Sequence, residues 1–131
     1  METISIRTNK RCEFIDITRD VQACVAKSGI KSGVACIFIP HTTAGVAINE
    51  NADPDVKRDV LFALERMVPN SGFAHCEGNS DAHTKAVLTG SSVSVIVEDS
   101  RLCLGTWQSI YFCEYDGPRN RKAYVKVTGE R

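Results

Sequence analysis

The sequence predicts an α+β fold with a largely antiparallel sheet and three helices. Three observations predict it. Short apolar stretches of strand length recur along the chain. Three other stretches repeat apolar residues at helical spacing between recognisable start and stop residues. The closing strands are joined by short turns, which favours antiparallel pairing.

Residues 2–8 alternate apolar and polar, with Ile4 and Ile6 on one face, as in a half-buried strand. Cys12, Phe14 and Ile17 outline a second strand-like segment. Thr18 is placed to N-cap a helix running to about Lys27, with Val21, Cys24 and Val25 on its apolar stripe and Gly29 as its stop. Residues 34–39 form a near-continuous apolar run, so a central strand is expected, ended by Pro40. Residues 45–49 read as a short strand pairing back on it. Asp53-Pro54 starts a helix with a capping carboxylate and a proline at the first helical position. Val56, Val60, Leu61, Leu64 and Val68 follow at helical spacing, and Pro69 ends the run. Asn79 or Ser80 opens a shorter helix closed by Gly90. Residues 93–97 and 106–115 are strands. After the turn Asp116-Gly117-Pro118-Arg119-Asn120, residues 123–127 are the returning strand.

Composition limits the function classes. A chain of 131 residues fits one domain with its own core. Lys+Arg and Asp+Glu both number 16, so the net charge is zero, which argues against a nucleic-acid protein driven by bulk charge. No apolar run approaches the roughly 18–20 residues of a membrane span. The first residues, Met1-Glu2-Thr3-Ile4-Ser5-Ile6, start as a strand and lack a basic-then-apolar export pattern, so a cytoplasmic protein is expected. Six cysteines show no C-x-x-C pair. They are expected to be reduced and mostly core thiols, with Cys76 beside His75 the one in a polar setting.

The chemistry-bearing residues are few. His41 follows a strand end, His75 lies in a loop, and His83 falls in the first turn of a helix. Strand ends and loops are where sites form. Three neutral imidazoles suit a zinc-like divalent metal better than magnesium, so His41, His75 and His83 are the candidate metal ligands; each also reads as a hydrogen-bonded structural histidine. The polar stretch Asn49-Glu50-Asn51-Ala52-Asp53 could orient such a ligand, or hold a hard cation through its carboxylates. For Asp53 the helix cap is the stronger reading. The loop into the third helix, Glu77-Gly78-Asn79-Ser80-Asp81, offers backbone N–H groups to an anion, and Lys85 could add a charge. The only tryptophan lies in Leu104-Gly105-Thr106-Trp107-Gln108, after the polar turn Glu98-Asp99-Ser100-Arg101. It reads either as a turn closed by a core indole or as part of a pocket.

Taken in order, His41-Thr42-Thr43-Ala44, Asn49-Glu50-Asn51-Ala52-Asp53-Pro54, the stretch from His75 to His83, Leu88-Thr89-Gly90-Ser91-Ser92 and Leu104-Gly105-Thr106-Trp107-Gln108 resemble the YjbQ-like family. That family is often labelled secondary thiamine-phosphate synthase. The resemblance covers essentially the whole chain. It implies a β-sandwich-like α+β domain that assembles as a homotrimer. It also implies one polar pocket lined by the histidine and Gly-Thr-Trp-Gln segments. The label implies a transferase acting on small phosphorylated heterocycles. The alternative is a non-catalytic trimer that binds a metal or small ligand. The catalytic candidates are then His41, Glu50, His83 and Gln108. The substrate-binding candidates are Asn49, Asn79, Lys85, Thr106 and Trp107. Gln108 is expected in the histidine pocket, where its amide suits a heterocycle edge or a metal-bound water. Arg101, Arg119 and Arg121 are further candidate clamps for a phosphorylated substrate. The family usually has Gly where this chain has Ser100.

Overall fold

A computed structural model describes residues 1–75 and 78–131. Among these residues eight strands and three helices occur in the order β1 (Glu2–Arg7), β2 (Glu13–Asp16), α1 (Thr18–Ser28), β3 (Ser32–Phe38), β4 (Ala44–Glu50), α2 (Pro54–Met67), α3 (Ser80–Thr89), β5 (Ser92–Glu98), β6 (Arg101–Leu102), β7 (Gln108–Glu114) and β8 (Asn120–Glu130). The strands form a five-stranded sheet, β1-β8-β3-β5-β6, and a three-stranded sheet, β2-β7-β4. Every pairing is antiparallel.

The main core fills the space between the sheets. Ile4, Ile6, Ile37, Val95, Ala123 and Val125 face Val46, Ile110 and Phe112, with Ile17 and Val21 alongside. Fully burying a side chain such as Ile37 stabilises the fold by about 1.5–3 kcal/mol. The far face of the small sheet carries a second cluster. Tyr111, Cys113 and Tyr115 pack there against Ala82 and Ala86 of α3 and Leu64 of α2. This explains why Ile110-Tyr111-Phe112-Cys113 shows no alternation: β7 is covered on both faces. Burial also pushes the Cys113 thiol up to about 12.

Several expected elements form as read. Residues 34–38 of the expected run fall in β3, in the middle of the large sheet, and Ile39 follows its end. Asp53 caps α2 by accepting a hydrogen bond from the Asp55 N–H at 2.9 Å. Gly29 ends α1 in the left-handed region at φ 72°.

Others differ for identifiable reasons. Thr18 does not cap α1. Ile17 holds the cap position, while the Thr18 hydroxyl accepts the Ile110 N–H at 2.9 Å and donates to Asp16. β4 does not pair with β3; it joins β7 in the other sheet, because Pro40 and residues 41–43 carry the chain across. β7 and β8 do not form a hairpin either. Their short turn passes from one sheet to the other, and β8 inserts between β1 and β3. The two-residue strand β6 is too short for a pattern to show.

The five described cysteines are unbridged, but only Cys113 is buried. Cys36 points outward from β3 and Cys103 is exposed, so the expectation of mostly core thiols fails for these two. Cys76 lies outside the described residues. No described helix is long and apolar enough to cross a membrane.

A histidine-lined cleft as the candidate functional site

The segment after β3 runs along the C-terminal half of α3. Two backbone bonds hold them together: the Ile39 N–H donates to Ser91 O at 2.8 Å, and the Val46 N–H to Gly90 O at 3.1 Å. The approach requires glycine at position 45, where an added Cβ would meet Gly90 O at 2.6 Å.

Between these elements lies a cleft of about 400 Å³, lined by His41, Thr42, Ala44, His83, Ala86, Val87, Gly90 and Ser91. Positions 83, 86, 87 and 90 share one helical face, which aims His83 into the cleft. The intervening positions 81, 82 and 85 face the protein interior.

The two imidazoles differ in character. His41 is half-buried, and its Nε2 accepts the Lys122 N–H at 2.9 Å. In the neutral ring the proton therefore sits on Nδ1. Burial, and next the nearby Arg121 guanidinium, hold His41 below the usual histidine range. His41 is thus a neutral hydrogen-bond donor. His83 makes no side-chain hydrogen bond among the described residues. Its ring meets the edge of His75 at a centroid distance of 5.6 Å. His75 Nδ1 bonds the Ser80 hydroxyl at 3.1 Å.

Behind His41 lies a buried ion pair. The Glu114 carboxylate accepts from the Arg121 Nε at 2.8 Å, from the second arm of that guanidinium, and from the Thr8 hydroxyl at 2.7 Å. The same guanidinium donates to Thr43 Oγ1 at 2.9 Å, two residues from His41. Arg121 is consequently a structural cation rather than a substrate clamp. Arg119 is tied to the Asp116 carboxylate at 3.1 Å. Arg101 lies in β6, paired with Glu98 of β5.

The expected three-histidine metal site does not form within the described residues. No group of three His, Cys, Asp or Glu residues there has the geometry to hold an ion. The reason at His41 is specific: its Nε2 lone pair is taken by Lys122 N–H and its Nδ1 carries the proton, so neither nitrogen is free to coordinate. The residues therefore do not fit that ligand set.

The single pocket expected for the histidine and Gly-Thr-Trp-Gln segments is also divided. His41 precedes the start of β4, and Glu50 ends it. Six strand steps separate Ala44 from Glu50, roughly 20 Å. Glu50 faces Gln108 across the β4–β7 ladder, and its carbonyl accepts the Tyr111 hydroxyl at 2.9 Å. Asn51 secures the same end: its N–H bonds Trp107 O at 2.8 Å, and its amide bonds Gln108 O and the Ser109 hydroxyl. Gln108 does not line the histidine cleft. Its Oε1 accepts the Gly105 N–H at 2.8 Å and closes the turn. Thr106 and Trp107 are exposed, Trp107 at 62%, so the indole is not a core residue of this chain. Of the Trp107–Gln108 pair, neither side chain packs inside.

The remaining candidates have structural partners. Asn49 Oδ1 accepts the Glu50 N–H, and Asn49 borders a separate groove with Val60 and Leu64 of α2. Asn79 donates to Asp116 at 2.9 Å, while its Oδ1 is buried without a partner among the described residues. Lys85 is only 2% exposed and faces away from the cleft. It meets Glu65 at 2.6 Å and Asp81 at 3.9 Å, and Asp81 is held by Arg11 at 3.0 Å.

Fold and cleft together define a class: a two-sheet α+β sandwich with two inequivalent histidines on one cleft. The comparisons specify it further. The family model described as UPF0047 protein YjbQ-like matches residues 2–130, and the chain belongs to that family. UPF0047 protein YugU of Bacillus subtilis is 54% identical over 98% of this chain and 99% of its own length. UPF0047 protein MJ1081 of Methanocaldococcus jannaschii is 51% identical over 96% and 92%. A crystal structure of a YjbQ/UPF0047 family protein from Clostridium acetobutylicum matches with a TM-score of 0.96 at 53% identity, covering 98% and 100% of the two chains. That of a protein of unknown function from Sulfolobus solfataricus matches with a TM-score of 0.94 at 34% identity, covering 98% and 96%. These names assign no activity, so the thiamine-phosphate reading rests on the resemblance alone.

Proposed function

We propose that the chain is a cytoplasmic small-molecule enzyme working at the His41–His83 cleft by imidazole acid–base chemistry. The observation that carries this is the division of labour between the two rings. His41, kept neutral with its proton on Nδ1, supplies a donor to a substrate oxygen or ring nitrogen. His83, without a side-chain hydrogen bond among the described residues, supplies the base. The Ser91 and Thr42 hydroxyls add neutral polar contacts, and Val87 and Ala86 receive an apolar edge. Such a lining suits a small heterocycle with an acceptor group. No step in this reading uses a metal ion.

The same reading includes the homotrimer. Within one chain the histidine cleft and the exposed Trp107 turn lie at opposite ends of β4, and a neighbouring copy is the means of bringing them together. Light scattering that gave a monomer at micromolar concentration would remove that part.

The experiment is a turnover screen over small phosphorylated and unphosphorylated heterocycles, with ¹⁵N imidazole spectra recorded alongside. His83→Asn should lower turnover by roughly 10²–10⁴-fold. The His41 resonances should report the Nδ1-protonated ring and titrate below about 6.5. A compound that raises the melting temperature through His41 and His83 but is never converted would favour the non-catalytic alternative.

A further inference from the structure

The outward face of β1 and β8 carries an arrangement that the cleft does not use. The register sets Ser5 opposite Lys122 and Arg7 opposite Asn120. Their neighbours Ile6 and Arg121 point inward, so these four side chains share the solvent face. Arg7 and Lys122 are therefore diagonal neighbours, with backbones about 7–8 Å apart. The surface dips there into a depression of about 340 Å³, lined by Ser5, Ile6, Arg7, Asn120, Arg121 and Lys122.

Among the described residues Arg7 and Lys122 form no ion pair, whereas Lys27, Arg11, Arg119 and Arg121 each do. Among the described residues the Arg7 guanidinium reaches Asn120 Oδ1, at 3.4 Å. The other outward side chains of these two strands near the depression are Thr3, Tyr124 and Lys126. The outward carboxylates of the same sheet lie away from the depression: Glu98 at its far side, where it accepts the Ser32 hydroxyl, and Glu130 at the other end of β8, opposite Ser32. Two like charges set diagonally on a sheet repel each other, and no ion pair among the described residues offsets that here. An anion between them would. Each cation also faces a neutral hydrogen-bonding residue across the ladder, so four side chains that can donate surround one depression.

We propose that this depression binds a small oxyanion, of phosphate or carboxylate type. The Arg7 guanidinium supplies two parallel donors, Lys122 a point charge, and Ser5 and Asn120 neutral donors. The site goes beyond the cleft and does not depend on its chemistry. It adjoins the cleft through one residue, because the Lys122 N–H is the group that holds His41.

The test titrates inorganic phosphate into the full chain at low ionic strength, read by calorimetry and by the backbone amides of Ser5 and Lys122. Saturable binding that shifts those amides is expected. Arg7→Gln and Lys122→Gln should each weaken it by about tenfold. Lys126→Gln removes the same charge from the same face outside the depression, and should change affinity by less than about twofold. His83→Asn should leave it unchanged, which separates this site from the cleft. Failure to saturate, or equal weakening by all three lysine and arginine variants, would reduce the site to diffuse surface charge and overturn the proposal. So would loss of binding in His83→Asn, or variants that alter oligomer size while phosphate affinity stays the same.

Discussion

Replacing Glu114 by Gln tests the junction on which His41 rests. Glu114 is 0% exposed and Arg121 5%. The carboxylate collects the two guanidinium contacts, the Thr8 hydroxyl, and the Asp116 N–H at 3.0 Å. Gln keeps the shape but removes the charge. It also turns one acceptor oxygen into an NH₂ group that faces donors. The guanidinium is left buried without a counter-charge, with one amide oxygen and Thr43 as its remaining acceptors. Breaking a buried pair in this way costs about 3–5 kcal/mol, against about 5–15 kcal/mol for the whole stability of a domain. Urea unfolding should show the midpoint falling by roughly 1.5–3 M with the slope unchanged. The double variant Glu114→Gln/Arg121→Met should recover part of the loss, because it removes the stranded charge. The acid limb gives a second readout. Burial alone would raise the Glu114 carboxyl, but Arg121, Thr8 and the Asp116 N–H outweigh it and hold it below the usual range. The native value is thus depressed. Its contribution is fully present above the unfolded value of about 4.3 and is lost as pH falls from there through the native value. In Glu114→Gln stability should fall less steeply across that window. A loss below about 1 kcal/mol, or an unchanged acid limb, would refute the reasoning.

Two further outcomes follow from other sites. Asp99 and Ser100 form the two-residue turn of the β5–β6 hairpin with φ of 51° and 63°, where glycine is favoured at the second position. Ser100→Gly should stabilise by about 0.5–1 kcal/mol, raising the calorimetric Tm by roughly 2–6 °C; a lower Tm would mean that the turn is not under strain. In the buried cluster on α3, Asp81→Asn should cost about 3 kcal/mol or more, because Lys85 and Arg11 both lose their buried counter-charge. Lys85→Met should cost less than about 1.5 kcal/mol, since Glu65 is more than half exposed and returns to water. The reverse order in urea unfolding would show that Lys85, not Asp81, anchors the cluster.

What could be read from the sequence was local. Asp53-Pro54 and Gly29 set helix ends through side-chain and backbone chemistry within a few residues, and α1–α3 appear where those signals lie. Strand positions, the two-residue β6 excepted, were equally legible, but partners were not. The turn between β7 and β8 looks like a hairpin, yet its strands enter different sheets, a choice made by the apolar faces of β1, β3 and β8 closing over one core. At the site, His41 and His83 were recognisable as residues outside the apolar stripes, and they do share the cleft. The helical spacing 83, 86, 87, 90 could have completed its wall. Lys85 was misread because a lysine in the second turn of a short helix ordinarily faces water; here Asp81 and Glu65 compensate its burial. The role of the Gln108 amide was hidden because its partner, the Gly105 N–H, is local and structural. The tautomer of His41 depends on a backbone group 81 residues away, which no spacing rule reaches.

The insertion of β8 between β1 and β3 has a consequence for the order of assembly on the ribosome. The central partner of the large sheet, like β7 in the small one, belongs to the last quarter of the chain. Until both emerge, Glu2–Arg7 and β2 have no strand beside them, and β4 lacks its only one. β3 can meet β5 but leaves its other edge bare. A nascent chain stalled before Gln108 therefore presents several open strand edges at once. Closure must then join residues more than a hundred positions apart, as in the Glu2–Val125 pairing, which makes folding slow and late. The number of strand edges open during synthesis is accordingly set by the position of two strands in the chain rather than by the stability of the finished fold.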